Sequence, residues 1–379
     1  MIPYGRQSID EEDIRAVVEV LRSDWLTTGP KVAEFEQAVA AFVDARQAVA
    51  VSSGTAALHA AMFALGIGPG DEVIVPPMTF AATANCVVFQ GAVPVFADVE
   101  PDTLLIRPAE IEAKITSRTK AIIAVDYAGH PADYDAIRSI ADKHGIAIVA
   151  DACHALGASY KVRAAGSLAD LSVFSFHPVK HITTGEGGMI TTDNPELAGR
   201  MSRFRNHGIT SDHHQREKEG SWFYEMVDLG YNYRLTDLQC ALGLAQLKKL
   251  PRFLEKRRKI ARQYDDFFAR ISGISPLAVS SDAQHAYHLY VIRLNPGRLG
   301  VDRTELFQKL RRQGIGVNVH YIPVHLHPFY RREFGTGRGL CPVAEAAYDQ
   351  ILSLPMHAAM TGHDVNTVCN AFHEISKGA

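Results

Sequence analysis

Residues 146–188 of the chain read IAIVADACHALGASYKVRAAGSLADLSVFSFHPVKHITTGEGG. Two short apolar runs lie within this stretch: IAIVA at 146–150, which leads into Asp151, and LSVFSF at 171–176, which precedes Lys180. Each run is rich in Ile, Val and Phe and is bounded by polar residues or glycine, a pattern typical of a fully buried strand. We therefore expect Asp151 and Lys180 at or just past the carboxyl ends of strands in a parallel sheet.

An acid and an amine placed in this way can share one pocket, because open α/β sheets bind ligands at the carboxyl ends of their strands. A site for pyridoxal phosphate (PLP) needs such a pair. Its lysine forms a Schiff base with the cofactor aldehyde, and its carboxylate keeps the pyridine nitrogen protonated, so that the ring acts as an electron sink. An ordinary ion pair between Asp151 and Lys180 is the simpler interpretation, and these two residues alone favour it.

The length and composition of the chain indicate a globular protein of two domains. Its 379 residues are too many for one ordinary core. Hydrophobic residues make up 47% and charged residues 21% of the chain, which is typical of globular proteins. The formal net charge of −3 predicts no basic surface for nucleic acid.

The cysteines and the N-terminus indicate the compartment. Cys86, Cys153, Cys240, Cys341 and Cys369 are scattered, and none has the spacing of a zinc site or a disulfide framework. The N-terminus has no apolar signal core, and no run approaches the roughly 18 apolar residues that a membrane span requires. We therefore expect a reduced, cytoplasmic protein without a membrane span.

Strand and helix patterns alternate from residue 48 to residue 192, which predicts a parallel sheet with right-handed crossovers. After about residue 271 the order changes to that of a compact α+β unit. The later predictions are a turn entering a helix at 229–250, a long charged helix at 251–270, a strand at 288–294, a helix at 302–313 and a helix near 342–351.

The tripeptide Ser53-Gly54-Thr55 lies at a predicted strand-to-helix junction. Gly54 allows close approach of the backbone, Thr55 offers a hydroxyl, and the free amides of the first helical turn favour an anion. The tripeptide therefore indicates a phosphate site, although helix capping by Ser53 or Thr55 is the commoner use of such residues. Phe80, at the start of a later helix, is suited either to stacking on a cofactor ring or to core packing.

Two groups of histidines are candidates for metal binding. His320, His325 and His327 lie close in sequence, but they lack a nearby acidic partner and the i, i+4 spacing of helical zinc motifs. We interpret them as part of a loop that lines a polar ligand, and we expect no metal site. His213 and His214 lie in a polar run, and solvation is the favoured interpretation of that pair.

Five segments, taken together, resemble the sugar-nucleotide aminotransferases of the DegT/StrS group, which are fold type I PLP enzymes. They are SSGTAALHAA (52–61), MTFAATAN (78–85), DACHALGA (151–158), SFHPVKHITTGEGGMI (175–190) and NYRLTDLQCALGLAQL (232–247). VDYAG (125–129) and VHYIP (319–323) also fit the branch that aminates UDP-sugars in the pseudaminic acid pathway. The resemblance implies an α/β fold with a large, mostly parallel sheet domain at 1–250 and a smaller α+β C-terminal domain at 251–379.

The resemblance also implies which residues hold the PLP cofactor. Lys180 corresponds to the Schiff-base lysine, and Asp151 corresponds to the partner of the pyridine nitrogen. Gly54, Thr55 and Ser175 correspond to the residues that hold the cofactor phosphate.

Three further residues are assigned by the same resemblance. Phe80 matches the aromatic residue that stacks on the cofactor ring. His154 lies near the ring hydroxyl, where many relatives carry Gln, so the hydrogen bond that it makes stays open. Asn232 resembles an asparagine that reaches the phosphate from the neighbouring subunit, which implies a homodimer with shared active sites.

Substrate contacts are implied at two ends of the chain. The residues are Tyr4, the turn Asp24-Trp25-Leu26-Thr27, and Asn318, His320, Tyr321 and Pro323. The expected reaction takes an amino group from L-glutamate to a UDP-linked 4-keto-6-deoxy-N-acetylhexosamine and yields a 4-amino sugar nucleotide. Some relatives carry His at the lysine position and are dehydrases, so Lys180 favours transamination.

Three alternatives stay open at this point. The enzyme could act on another nucleotide sugar, such as a dTDP- or GDP-linked keto-hexose. The chain could also be a regulator that keeps the PLP fold without turnover, which the combination of Lys180, Asp151 and Ser175 disfavours. A PLP lyase or desulfurase is disfavoured because Cys153 and Cys341 do not lie in a recognisable mobile thiol loop.

Overall fold

The computed structural model of the protein describes residues 1–211, 216, 218 and 220–377, so that His213 and His214 lie outside the described residues. The helices are α1 (Glu11–Leu21), α2 (Pro30–Phe42), α3 (Gly54–Ala64), α4 (Ala82–Phe89), α5 (Pro108–Lys114), α6 (Tyr134–His144), α7 (Pro195–Phe204), α8 (Asp237–Phe268), α9 (Pro296–Leu299), α10 (Arg303–Arg312), α11 (Pro328–Phe334), α12 (Pro342–Tyr348) and α13 (Gly362–Lys377). The strands are β1 (Gln47–Val51), β2 (Glu72–Val75), β3 (Val93–Phe96), β4 (Thr119–Val125), β5 (Ala147–Asp151), β6 (Ser159–Tyr160), β7 (Arg163–Ala164), β8 (Leu171–Ser175), β9 (Gly188–Thr192), β10 (Ile274–Pro276), β11 (Ala283–Gln284), β12 (Tyr290–Leu294) and β13 (Ile351–Leu354).

Seven strands form the central sheet, in the order β1-β9-β8-β5-β4-β2-β3. The five strands from β8 to β3 pair in parallel, whereas β9 is antiparallel to both β1 and β8. The predicted α/β fold with a mostly parallel sheet is therefore confirmed. The expectation of parallel pairing up to residue 192 is wrong for β9. No helix connects Ser175 to Gly188, and a parallel return normally requires a crossover of helical length.

The two apolar runs of the 146–188 stretch form the adjacent strands β5 and β8, in which Asp151 pairs with Val173. Successive side chains of a strand point to opposite faces of its sheet. Val149 and Val173 accordingly pack in one hydrophobic core, and Ile148 and Phe174 pack in a second core on the other face. Both strands are buried on two faces, which explains their continuous apolar sequences.

Helix α8 passes from the second core to a third. Leu250 and Phe253 pack in the second core, whereas Tyr264 and Phe268 pack beneath the antiparallel sheet β10-β12-β13. The predicted helices at 229–250 and 251–270 are parts of this one helix of 32 residues, which includes Pro251. The division of the chain into domains at residue 250 stays a prediction.

One further boundary differs from the sequence prediction. The helix expected near 342–351 ends at Tyr348, and Ile351 begins strand β13. A short apolar run such as ILSL cannot be assigned to a helix or a strand from periodicity alone. Among the described helices, none is long and apolar enough to cross a membrane.

Candidate active site

Asp151 is buried at the last position of β5, and both of its carboxylate oxygens are hydrogen-bonded. Oδ2 accepts from the Thr83 hydroxyl at 2.6 Å, and Oδ1 accepts from the Cys153 backbone N–H at 3.3 Å. The Thr83 hydroxyl uses its one proton in this bond, so it accepts from the Thr79 hydroxyl at 2.7 Å. This arrangement supplies the partners that a buried carboxylate requires.

Lys180 follows β8 in a turn in which its backbone N–H donates to the His177 carbonyl at 2.9 Å. Burial lowers the pKa of the Lys180 amine, because an apolar environment disfavours the ammonium form, while nearby Cys153 and Asp151 act in the opposite direction. Asp151 and Lys180 are therefore close enough to interact electrostatically. A lysine amine with a lowered pKa is more often neutral at physiological pH and can act as a base.

The N-terminus of α3 meets the ends of β5 and β8. Ser53 is the N-cap residue, and its hydroxyl accepts a hydrogen bond from the Ala56 N–H at 3.0 Å. The helix capping that the tripeptide predicted is therefore present. Gly54 lies against β8, where a Cβ atom would approach the Ser175 Cβ to 2.9 Å and the Cys153 Sγ to 3.3 Å. The Ser175 hydroxyl accepts a long 3.4 Å bond from the His177 N–H, which leaves its own proton free to donate.

His154 is buried just beyond β5. Its Nε2 lies 3.0 Å from the Tyr321 hydroxyl, whereas its Nδ1 is buried without a hydrogen-bond partner among the described residues. Burial lowers the pKa of His154 well below its usual value, and the positive charge of Lys180 adds to this effect. His154 is therefore a neutral imidazole with one ring nitrogen unused.

These groups fit PLP. The α3 N-terminus and the Ser175 hydroxyl offer donors for a phosphate at a position where only glycine leaves room. Asp151 can hold a pyridinium, the Lys180 amine can hold the aldehyde carbon, and the unused Nδ1 of His154 can serve the ring hydroxyl. Among the described residues, no cluster of three or more His, Cys, Asp or Glu could hold a metal ion.

Some of the remaining predicted residues lie beside this group. The Phe80 side chain is 63% exposed, and its ring centroid lies 6.1 Å from that of Tyr321. The Tyr4 ring lies 5.3 Å from the buried His320 ring. Since Tyr321 also contacts His154, residues from both ends of the chain line the same side of the site.

The substrate segment 318–323 is held by side-chain contacts. His320 Nδ1 lies 2.9 Å from the Ser353 hydroxyl, and its Nε2 lies 3.4 Å from Asn318 Nδ2. The Tyr127 hydroxyl donates to the His320 carbonyl oxygen. Burial lowers the pKa of His320 to about 3, so the imidazole is neutral, and Pro323 is buried as well.

His325 corrects the interpretation of the histidine loop. Its Nε2 lies 2.9 Å from Glu345 Oε1 in the core. The histidine therefore has an acidic neighbour in the folded chain, although none lies near it in the sequence. Glu345 also accepts from the Gly339 and Cys341 backbone N–H groups. His325 is therefore a core residue paired through Nε2 with Glu345, with its Nδ1 buried and unpaired among the described residues, and it does not line a ligand site.

Two predicted segments are not brought to this group by any contact of the described residues. The turn Asp24–Thr27 is exposed and is attached to the start of α8, where the Asp237 N–H donates to the Leu26 carbonyl at 3.1 Å. Asn232 is exposed and forms an isolated bridge with Asn206. Their assigned roles stay predictions.

Thr83, His181 and His288 belong to the site but were not assigned from the sequence. The centroid of the His288 ring lies 4.3 Å from that of His154 and 5.7 Å from that of His181. His181 donates through Nε2 to the Ala286 carbonyl at 3.1 Å. Thr83 could have been found, because a helix predicted to start near residue 78 would place Thr79 and Thr83, four residues apart, on one face, although α4 itself begins at Ala82. The sequence predicted His288 as the first residue of a strand, whereas β12 begins at Tyr290, and nothing in the sequence around His288 indicates a role in the site.

Thr83→Val is expected to lower kcat about tenfold or more, since hydrogen bonds to charged groups contribute about 1.5–3 kcal/mol. Valine keeps the shape of threonine but cannot donate to Asp151 Oδ2. Thr83→Ser, which keeps the hydroxyl, should retain near-normal kcat in the same steady-state assay. Equal activity of the valine and serine variants would mean that the hydroxyl does not support Asp151.

The chain matches the sequence model of the DegT/DnrJ/EryC1/StrS aminotransferase family over residues 7–373. The spore coat polysaccharide biosynthesis protein SpsC of Bacillus subtilis is 45% identical over 380 residues, which cover 100% of this chain and 98% of SpsC.

Two solved structures are similar over the whole chain. Spr1654 of Streptococcus pneumoniae in its PMP form superposes with a TM-score of 0.94 at 35% identity, covering 100% of both chains, and it was also solved in a PLP form. Helicobacter pylori PseC, an aminotransferase involved in the biosynthesis of pseudaminic acid, gives a TM-score of 0.93 at 33% identity and covers 100% of both chains. The chain therefore belongs to the DegT/DnrJ/EryC1/StrS family and is a PLP-dependent aminotransferase.

Proposed function

We propose that this enzyme transfers the amino group of L-glutamate to C4 of a UDP-linked 4-keto-6-deoxy-N-acetylhexosamine, in a pathway of the pseudaminic acid type. The observation that carries the proposal is the Lys180 amine, with its pKa lowered by burial, beside the hydrogen-bonded Asp151 carboxylate. The likeness to PseC over the full length of both chains supports the substrate class, as does the VHYIP segment at 319–323.

PLP, when bound, supplies an electron sink that stabilises negative charge on the carbon next to the reacting nitrogen. Lys180 Nζ would hold the cofactor in the resting enzyme. The Gly54 and Thr55 amides of α3 and the Ser175 hydroxyl would hold its phosphate, with Phe80 covering the ring.

Lys180 is the base that moves the proton. Its Nζ takes a proton from Cα of glutamate in the first half of the reaction and delivers one to C4 of the sugar in the second half. Burial favours the neutral amine that the first transfer needs.

Asp151 would hold the protonated ring nitrogen of the cofactor. The donors Thr83 and Cys153 hold the carboxylate in one orientation, so no reorganisation is needed when charge develops. Preorganised charge in a buried site is worth more than the same charge in water.

The sugar would lie against neutral polar groups. His320 is neutral because burial lowers its pKa to about 3, and Asn318 and the Tyr4 ring lie beside it. Neutral hydrogen-bonding groups and an aromatic ring suit an uncharged hexose. Trp25 and the rest of the turn at 24–27 would contact the nucleotide.

A second copy of this chain would complete each site. Residues 222–231 expose several large apolar side chains, including Trp222 at 85%, Met226 at 67% and Leu229 at 74%. So many exposed large apolar side chains in one segment support an interaction site there. It leads directly to Asn232, so burial in a homodimer would bring that amide towards the other subunit. We further propose a cytoplasmic enzyme with domains at 1–250 and 251–379.

Asn232→Ala is expected to weaken retention of the cofactor phosphate without unfolding the chain, because the side chain is exposed. Mixing Asn232→Ala chains with Lys180→Ala chains should restore activity in a fraction of the sites, since one site of each mixed dimer has both residues. The measurement is activity after dissociation and reassociation of the two variants. Recovery no greater than that of each variant alone would argue against shared sites.

The substrate proposal is tested with keto-sugar nucleotides and glutamate as donor. We expect turnover of the UDP-linked 4-keto-6-deoxy-N-acetylhexosamine, followed as 2-oxoglutarate release and as the 4-amino product by NMR. A higher kcat/KM for dTDP- or GDP-linked keto-hexoses would overturn the nucleotide assignment. If glutamate released no 2-oxoglutarate even in stoichiometric amount, the assignment of L-glutamate as the amino donor would be wrong.

A further inference from the structure

Tyr321 connects the C-terminal part of the chain to the cofactor side of the site. Its hydroxyl lies 3.0 Å from Nε2 of His154, and the planes of the two rings meet at an angle of 26°. No other hydrogen bond of this hydroxyl is found among the described residues. The contact therefore acts on His154 alone.

The hydrogen bond allows two arrangements of protons. Either the Tyr321 hydroxyl donates to a bare Nε2, so that Nδ1 carries the ring proton, or Nε2–H donates to the hydroxyl oxygen and Nδ1 is bare. The second arrangement leaves the Tyr321 proton without an acceptor. The first uses both groups and leaves one N–H donor, at the buried Nδ1 that has no protein partner among the described residues.

We propose that Tyr321 is a positioning residue: its hydroxyl donates to His154 Nε2, fixes the ring proton on Nδ1, and so makes Nδ1–H the donor to the ionised ring oxygen of PLP. A segment that we otherwise assign to sugar binding thereby controls the hydrogen bonding of the cofactor. The inference depends on the cofactor and does not depend on the identity of the sugar.

The surroundings of His154 keep it neutral, as this role requires. The charged and titratable groups that face it are Lys180, His181, His288, His320 and Tyr321. None carries a negative charge that would favour the imidazolium, because burial raises the pKa of Tyr321 well above its usual value. Burial, with the positive charge of Lys180, lowers the pKa of His154. The ring therefore changes its hydrogen bonding by tautomer and not by protonation.

The first test is a pH titration of the visible absorbance of the holoenzyme without substrate. A donor to the ring oxygen stabilises its ionised form. In Tyr321→Phe the ring proton of His154 is no longer fixed on Nδ1, so the ring oxygen loses its donor in part of the molecules. The midpoint of the absorbance change should therefore move upward by on the order of one pH unit. Tyr330→Phe is the matched control, because it removes a hydroxyl that donates to Asn85 Oδ1 at 2.6 Å, away from His154. That control should leave the midpoint unchanged.

His154→Gln separates an effect through His154 from any other effect of Tyr321. A glutamine amide keeps an N–H donor and has no tautomers, so its midpoint should stay near that of the wild type. In this background Tyr321→Phe should add no further shift. A Tyr321→Phe shift of equal size in the wild-type and His154→Gln backgrounds would overturn the proposal, as would no shift in either background.

The proton can also be located directly in the apoprotein. Two-bond ¹H–¹⁵N correlation spectra of ¹⁵N-histidine-labelled protein distinguish protonated from bare ring nitrogens, and the signals missing from His154→Gln assign His154. We expect a protonated Nδ1 and a bare Nε2 in the wild type, and a mixture of tautomers in Tyr321→Phe. A protonated Nε2 in the wild type would refute the proposal. Neither measurement requires turnover, so a wrong sugar assignment would not affect them.

Discussion

Replacing Lys180 with alanine is expected to remove the visible absorbance of the bound cofactor and to lower kcat by about four orders of magnitude, the upper range for one acid–base group. The amine is the only group that we assign both to holding the cofactor and to moving the proton. Because the side chain makes no described ion pair, its removal should not unfold the protein. The measurements are an absorbance spectrum after reconstitution and a single-turnover assay with glutamate.

Two variants make this result specific to a neutral amine at position 180. Lys180→Arg keeps a positive charge but should be as inactive as alanine, because a guanidinium has a pKa above about 12 and cannot act as a base near neutrality. Lys161→Ala removes an exposed lysine that pairs with Asp135 and should leave kcat unchanged. Substantial activity in Lys180→Arg would show that the proton is moved by another group.

Lys180 also predicts the pH dependence of the reaction. The neutral amine is the active form, so the first half-reaction should speed up as pH rises through the pKa of this group. Because burial lowers that pKa, the rise should occur at lower pH than for an ordinary lysine, whose pKa is about 10.4. A pH profile of glutamate-dependent 2-oxoglutarate formation measures this.

Asp151→Asn is expected to retain the cofactor but to lower kcat by about 10²–10³-fold, the loss typical of removing one preorganised electrostatic contact. Asparagine has the shape of aspartate and can still accept from Thr83, so the fold should be preserved. What is lost is the negative charge that keeps the ring nitrogen protonated, and with it the electron sink. Cofactor content and kcat are measured on the same preparation.

The matched control for Asp151 is Asp135→Asn, which removes an exposed carboxylate that pairs with Lys161. It should leave both the cofactor content and kcat as they are in the wild type. An Asp151→Asn enzyme with normal kcat would contradict the role of the carboxylate, whatever the outcome for Lys180. An Asp151→Asn variant that binds no cofactor would show that the carboxylate is needed to retain the cofactor, contrary to our expectation.

The meeting of Asp151 and Lys180 could be predicted from the sequence because each follows a buried strand, and neighbouring strands of a parallel sheet end at one edge. The position of Gly54 at a strand-to-helix junction follows from the same local pattern, whereas Ser175 was assigned only through the resemblance to the family. The predictions for Asp151, Lys180 and Gly54 depend only on the local pattern and on the direction of the strands. The antiparallel direction of β9 could not be predicted, because nothing in its sequence GMITT indicates strand direction.

The contacts that support the site could not be predicted in the same way. His154 meets Tyr321 across 167 positions, and His320 meets Ser353 across 33. Such pairs depend on how the C-terminal segment packs against the sheet, which no local periodicity encodes. The His325–Glu345 pair illustrates the same limit, because helix α11 and the start of α12 separate the buried histidine from its carboxylate in the sequence.

Helix α8 has a mechanical consequence for the enzyme. At about 1.5 Å per residue, its 32 residues span about 48 Å. Cys240 and Leu250 pack in one core, and Tyr264 and Phe268 pack in another. Pro251 lies between Leu250 and Tyr264, and a proline in a helix interior removes one backbone hydrogen bond and favours a bend. A change in the relative position of the two cores should therefore bend the helix at Pro251.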